Sequence, residues 1–247
     1  MPVLKPCLAG LPSAAGGVLF AAVALLFLAR AVAAGGFDMA DFPVRTVEES
    51  TFRFDPTSGQ VLHADGRREP YFLVVDGLVE APQRIAYAEL RAMPQRRLVA
   101  DFHCVEGWSI HDVPWSGVSF ADLFARARPT AAAKFAVFHA LGHTRSRPGG
   151  LDHYVESFPL SELLDPRLSY LLALDLEGRP LPQAQGAPAR VVCPFDLAYK
   201  SIKFFYRIEL AARPAPGWWT RANPIYPTVA PVQPGRLRQP DPRRGGK

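Results

Sequence analysis

The sequence predicts an α+β domain, mixed and mainly β with short helices. Short β-branched and aromatic runs recur along the chain, helical periodicity is confined to brief stretches, and turn residues separate almost every run. Glycine (19) and proline (25) are over-represented, which favours loops and short elements over a helical bundle. At 247 residues and 49% hydrophobic content, the chain can bury a substantial core.

In chain order, residues 34–70 are expected to be an irregular lead-in, polar and turn-rich, with a break at Asp55-Pro56-Thr57-Ser58-Gly59. Residues 71–75 form a strand by their aromatic and β-branched content, closed by Asp76-Gly77. A second strand at 96–102 delivers Cys104 at its carboxyl end. Ser119-Phe120-Ala121-Asp122 is a capping box; Phe120, Leu123, Phe124 and Ala127 then share one helical face, and Pro129 ends the helix. A strand at 134–138 precedes a loop at 142–150, and Leu160, Leu163 and Leu164 mark one or two helical turns. Residues 171–176 read as a buried strand, and Val191-Val192 as a short one. Ile202, Phe204, Tyr206, Ile208 and Leu210 alternate with Lys203, Phe205, Arg207 and Glu209, the period of a strand with one core face. Residues 214–247 are expected to be an aromatic, proline-rich strap with a basic tail; Trp218, Trp219 and Tyr226 either cover the sheet or dock a redox partner.

At the amino terminus, Lys5, an apolar stretch at 18–29, Arg30 and Ala31-Val32-Ala33 predict a secretory signal peptide over 1–33, with a retained membrane anchor as the alternative. Either places the domain in the periplasm or another extracytoplasmic space, near a membrane if the anchor is kept. The formal charge of +5 resides at the two ends, so the body is close to neutral and no nucleic-acid face is expected. The tail, with Arg236, Arg238, Arg243, Arg244 and Lys247, is expected to be solvated and disordered.

Removal of 1–33 takes Cys7 and leaves Cys104 and Cys193, which an oxidising compartment could pair. A Cys104 thiolate held between a strand and a Gly-Trp-Ser turn is equally a soft metal ligand. His139 and His143, four apart, raise a zinc alternative, but neither His-Glu-x-x-His nor Cys-x-x-Cys is present. There is no Cys-x-x-Cys-His motif or cysteine cluster, so neither haem attachment nor an iron–sulfur relay is expected here. Trp108 and Trp115 read as packing residues.

Three ordered segments carry a resemblance. They are Phe102-His103-Cys104-Val105-Glu106-Gly107-Trp108-Ser109 with Val113-Pro114-Trp115-Ser116-Gly117-Val118; Leu174-Asp175-Leu176-Glu177-Gly178-Arg179-Pro180-Leu181-Pro182; and Gly186-Ala187-Pro188-Ala189-Arg190 followed by Tyr199-Lys200-Ser201-Ile202-Lys203. Together they resemble the molybdenum-cofactor domain of the sulfite oxidase superfamily, which includes sulfite oxidases and the catalytic subunits of periplasmic methionine sulfoxide reductases. The resemblance implies a sulfite-oxidase-type molybdopterin-binding fold over 71–213. It also implies Cys104 as the molybdenum ligand, beside two dithiolene sulfurs of the molybdopterin, with Arg190, Ser201, Ile202 and Lys203 holding the pterin and its phosphate. Gln185 stands where relatives of the reductase type often carry asparagine, and its amide is suited to the pterin ring. His103 and His139 are expected at the pocket, as imidazoles able to deliver protons during oxygen-atom transfer.

The likeness has departures. Glu49-Ser50-Thr51-Phe52-Arg53-Phe54 replaces an Asn-Asn-Phe-Tyr-like stretch, so those cofactor contacts do not transfer. Only Lys5 precedes the apolar stretch, where exported relatives usually carry paired arginines. Val191-Val192-Cys193-Pro194-Phe195-Asp196 replaces the more usual Pro-Gly or Pro-Trp turn, and no carboxyl-terminal immunoglobulin-like dimerisation domain is expected after Tyr226.

The implied function is that of an exported mononuclear molybdenum oxidoreductase, acting by S-oxide reduction or sulfite-type oxidation. Electrons pass to or from an external redox partner such as a cytochrome. The near-neutral body leans toward the S-oxide. The alternative is a non-catalytic extracytoplasmic binding domain on the same scaffold, stabilised by a Cys104–Cys193 disulfide.

Overall fold

Strand pairing organises the chain, and the site lies where one long hairpin ends. The computed structural model describes residues 37–245 except Thr46 and Glu49, so the expected signal or anchor lies outside the described residues. Strands β1 (Phe52–Asp55), β2 (Gln60–His63) and β3 (Arg68–Pro70) form an antiparallel sheet within the stretch expected to be irregular. The break at 55–59 is the turn of its first hairpin: Asp55 accepts hydrogen bonds from Thr57 N (2.9 Å) and Ser58 Oγ (2.6 Å). The turn chemistry is strong; the flanking strands, three or four residues each, give little periodic signal.

Next come β4 (Phe72–Gly77), β5 (Gln83–Ala86), the helix α1 (Tyr87–Ala92), β6 (Gln95–His103), β7 (Ser109–Ser119) and the helix α2 (Phe120–Ala127). Ser119 Oγ accepts the Asp122 amide at 3.0 Å, and Phe120, Leu123, Phe124 and Ala127 are buried, as the capping box and periodicity predict. After β8 (Phe135–Ala140), β9 (Val155–Pro159), α3 (Leu160–Leu163), β10 (Leu171–Leu176), β11 (Arg179–Pro180) and β12 (Arg190–Val192), the chain reaches β13 (Phe205–Ala211) and α4 (Trp218–Ala222).

Two five-stranded sheets result. One runs β11-β10-β7-β6, with β12 also pairing β10, and all its pairs are antiparallel. Gly117 lets β7 and β10 approach, since a Cβ there would lie 1.9 Å from Leu172 O. The other runs β5-β4-β13-β8-β9, with β4 and β13 parallel. The last strand departs from the predicted alternation. It begins at Phe205, Phe204 has φ of 60°, and the ladder shifts between Phe205 and Arg207, so Phe204 and Phe205 are both buried and Tyr206 is not.

Aromatic packing fills the core. Phe138 meets Phe120, Phe158 and Phe205 edge-on, with centroids 5.6, 5.6 and 5.2 Å apart. A buried ion pair joins Lys200 to Glu156 of β9, and Lys200 Nζ also donates to Ser157 O at 2.9 Å.

The basic tail is packed, contrary to the expectation of a solvated end. Ala230 and Val232 are buried, and they pair with the body through Leu197 N to Ala230 O (2.8 Å) and Val232 N to Phe195 O (2.9 Å). Arg238 pairs with Asp101 and Asp112, and Arg243 with Asp196, Glu162 and Asp241. Net charge per segment hides this complementarity, because the acidic partners are spread through the near-neutral body.

Candidate functional site

Cys104 follows β6 directly and opens the β6–β7 turn. Its N donates to Trp108 O at 2.9 Å, Gly107 N donates back to Cys104 O at 3.2 Å, and Gly107 takes φ of +98° to close the turn. The Cys104 side chain faces a cavity of about 970 Å³, counted with its open mouth. Besides this turn, the walls come from Phe42, Pro43, Arg45, Val47 and Glu48 of the lead-in, Phe102, Tyr154, Gln185, Arg190, the 198–203 segment apart from Lys200, Trp219 and Tyr226. Concave, mainly apolar surroundings with a few placed polar groups are the usual form of a cofactor site.

The polar groups are cationic and preorganised. Arg190, 3% exposed, donates from Nη1 to Gln185 O (3.1 Å) and from Nη2 to Ser201 Oγ (2.9 Å). Its guanidinium lies 5.2 Å from the Phe102 ring centre and 5.1 Å from that of Trp115, while its Nε is buried without a partner. Burial lowers its pKa to about 10. Lys203 donates to Arg45 O (2.8 Å) and Ala184 O (3.4 Å), and burial lowers its pKa to about 8. Gly186, at φ +113°, lets the chain pass close to both: a Cβ there would lie 3.0 Å from Lys203 Cγ and 3.2 Å from Arg190 Cβ. Glu48, also in the wall, is buried and partly offsets these two cations.

At the mouth, Arg45 Nε reaches both Glu106 carboxylate oxygens at 3.1 Å, and Trp108 Nε1 donates to Glu106 Oε2 at 2.8 Å. These contacts hold the Glu106 carboxyl below its usual pKa. Cys104 Sγ lies 3.7 Å from Glu106 Oε2, and burial first, then the neighbouring carboxylate, raise its thiol pKa. A metal ligated here would therefore have to displace the thiol proton.

Of the residues singled out from sequence, Cys104, Gln185, Arg190, Ser201, Ile202 and Lys203 all line this cavity. His103 and His139 do not. His103 is the last residue of β6, so its side chain projects to the face opposite Cys104; it contacts Ser109 Oγ at 2.8 Å and lines a second cleft with Asp101, Phe195 and Arg238. His139 lies on β8 in the other sheet, with its Nδ1 3.1 Å from His153 Nε2. Cys193 packs in the hydrophobic core, and Cys104 and Cys193 are both free thiols, so the disulfide of the alternative reading is not formed. Among the described residues, no group of three or more His, Cys, Asp or Glu side chains converges as a metal site, which leaves the zinc alternative without a ligand set.

Sequence reasoning missed Arg45, Glu48, Glu106, Tyr154 and Tyr199 as wall residues and assigned Trp108 to packing. The signal for Glu106 and Trp108 was their place in the Cys104 turn. Arg45 and Glu48 lie just upstream of the segment compared with the Asn-Asn-Phe-Tyr-like stretch, and no local pattern marks them.

A pterin-borne metal has three needs, and the cavity meets each. A soft ligand is present in Cys104, and the Phe102 and Trp108 rings offer an apolar wall beside the Gln185 amide. An anionic phosphate would find the Arg190 Nε, which has no hydrogen-bond partner, and the Lys203 ammonium, whose hydrogen bonds in the fold go to the backbone carbonyls of Arg45 and Ala184. The residues present therefore fit a molybdopterin.

Comparison with known proteins agrees. Residues 59–219 match the family described as oxidoreductase molybdopterin binding domain. The chain is 34% identical over 192 residues to the protein-methionine-sulfoxide reductase catalytic subunit MsrP of Ralstonia nicotianae, covering 73% of this chain and 57% of that protein. It is 33% identical over 177 residues to the MsrP of Pseudomonas syringae pv. tomato, covering 68% and 52%. The chain thus spans about half the length of the curated relatives it matches. The sulfane dehydrogenase SoxCD of Paracoccus pantotrophus shares the fold, with a TM-score of 0.51 at 18% identity, covering 73% of this chain and 56% of that one. On its matched span and its relatives, this chain belongs to the molybdopterin-binding oxidoreductase family, with a mainly β, sulfite-oxidase-type fold.

Proposed function

We propose that the chain is a mononuclear molybdenum oxidoreductase that reduces S-oxides, with protein-bound methionine sulfoxide as its substrate class and Cys104 as the protein's metal ligand. The observation that carries this is the convergence of Cys104, Gln185, Arg190 and Lys203 on one cavity. When bound, the molybdopterin centre supplies two-electron oxygen-atom transfer. The chain's own residues do the rest. Cys104 fixes the metal's position, Arg190 and Lys203 hold the phosphate, and Phe102 and Trp108 screen the centre from water. Reduction of an S-oxide consumes two electrons and two protons and releases a thioether and water. An external redox partner such as a cytochrome supplies the electrons.

Charge at the mouth favours an S-oxide over sulfite. Among the described residues lining the cavity, Arg45 is neutralised by Glu106, and Arg190 and Lys203 are assigned to the phosphate, which leaves no cation for an anionic substrate. An exported location follows from the amino-terminal pattern. No helix of the described residues is long and apolar enough to cross a membrane. The test is turnover of chain purified from a host that makes molybdopterin, with reduced viologen and a methionine-sulfoxide-bearing protein on one side and sulfite with an oxidant on the other. S-oxide-dependent viologen oxidation is expected; sulfite oxidation alone would overturn the assignment.

A further inference from the structure

The Cys104 turn is held from outside the matched family span by a residue of the carboxyl-terminal strap. Arg236 Nη1 donates to Cys104 O at 2.9 Å, and its Nη2 donates to Trp108 O at 2.7 Å and to Ser109 Oγ at 3.1 Å. The carbonyls of Cys104 and Trp108 are those that close the turn on itself, so one guanidinium grips both ends of it. From this geometry we infer that Arg236 is a positioning residue for Cys104. It fixes the backbone from which the ligand side chain projects, and it has no place in the cavity wall itself.

The strap is built to deliver that group. Ala230 and Val232 pair with Leu197 and Phe195, and Leu197 in turn bridges His103, so the strap is registered to the end of β6 through one intervening segment. A single 3-10 turn, Pro234–Arg236, then places the guanidinium under the Cys104 turn. Two residues on, Arg238 crosses from Asp101 of β6 to Asp112 of β7, bridging the two strands below the turn. Arg243 anchors the far end on Asp196 and Phe195 O.

Arginine is needed for the grip because three acceptors in different directions require several donors on one rigid plane, which an ammonium on a flexible stem does not offer. Apart from its two backbone hydrogen bonds, the turn is otherwise tied mainly at its exposed side: Val105 is 41% exposed, and the Glu106 carboxylate, with Arg45 and Trp108 as partners, sits at the cavity mouth. A ligand on such a turn would wander without a backbone clamp, and metal sites depend on the groups that orient their ligands.

This inference rests on Cys104 as the ligand, and its test separates the two ideas. In the full chain, Arg236→Gln, Arg236→Lys and Arg238→Gln are compared by iodoacetamide alkylation of each cysteine, read by peptide mass mapping. In cofactor-free protein, Arg236→Gln is expected to raise the Cys104 rate about tenfold, as loss of the Arg236 bonds to the carbonyls of Cys104 and Trp108 and to Ser109 Oγ permits local opening, with Cys193 unchanged. Arg236→Lys is expected to give a smaller rise, and Arg238→Gln, which leaves the turn's own clamp in place, to match the parent chain. An unchanged Cys104 rate in Arg236→Gln overturns the inference. So does a parallel rise at Cys193, which marks general loosening, or a Lys variant that matches the parent. Should the Gln variant fail to fold, the Lys variant decides. The ligand assignment fails separately, if Cys104 of the loaded parent protein alkylates as fast as in the cofactor-free form.

Discussion

Arg190→Met separates the cost of the buried guanidinium from its use. Arg190 is 3% exposed and has no carboxylate hydrogen-bond partner, and burial takes its pKa down to about 10. At about 1.4 kcal/mol per pH unit, that depression is a penalty of roughly 3 kcal/mol on the charged form in the cofactor-free protein. The folded pKa is depressed and the group is a base, so the penalty is fully present below about pH 10 and is relieved only as pH rises beyond it. Methionine removes the penalty but also the bonds to Gln185 O, Ser201 Oγ and Ser201 O, each worth about 1 kcal/mol. The two contributions nearly cancel. Stability of the cofactor-free variant at pH 7, by urea denaturation, is therefore expected within about 1–2 kcal/mol of the parent chain. Cofactor retention behaves differently: loss of a charge-assisted donor to phosphate, worth about 1.5–3 kcal/mol, lowers it about 10- to 100-fold. The assay is molybdenum and pterin per chain after dialysis. A variant that is as stable and as fully loaded as the parent would refute the reasoning.

Other perturbations probe the surrounding frame. Lys200→Met leaves Glu156 buried without its cation and is expected to cost about 3–5 kcal/mol in urea denaturation, whereas the double variant with Glu156→Leu recovers most of the loss. Gly186→Ala forces a Cβ against Lys203 and Arg190 at a left-handed backbone position, so it is expected to cost about 1–3 kcal/mol and to lower molybdenum content. Sulfate does not titrate near neutrality, and Lys203 loses its charge as pH rises through about 8; calorimetry on cofactor-free protein is expected to show sulfate binding weakening across that pH, and Lys203→Met to remove the pH dependence.

The parts of the fold legible in the sequence were those whose local composition or period pointed one way. Strands β4, β6 and β10, read as aromatic, β-branched or apolar runs, and the helix α2, read from its capping box and period, lie within a residue or two of expectation. The 11-residue β7 was hidden by Asp112, Pro114 and Gly117, residues that ordinarily break strands. Strand β9 was hidden by Glu156 and Ser157, whose polar character conceals complete burial that depends on Lys200, 44 residues away. In the site, residues 185, 190 and 201–203 were legible through the resemblance of their segments to the superfamily's motifs, and of these Arg190, Ser201 and Lys203 carry the donors an anion needs. His103 was misplaced because adjacency in sequence was read as adjacency at the pocket, although alternate strand residues face apart. The basic tail was misread as solvated because partners such as Asp101 and Arg238, 137 residues apart, leave no local trace.

Whether the Cys104 sulfur binds molybdenum decides the assignment, and X-ray absorption at the molybdenum edge counts sulfur neighbours directly. Three sulfurs per molybdenum are expected in the loaded chain and two in Cys104→Ser, the lost neighbour being the protein's own. An unchanged sulfur count in the serine variant, with full molybdenum content, would contradict it.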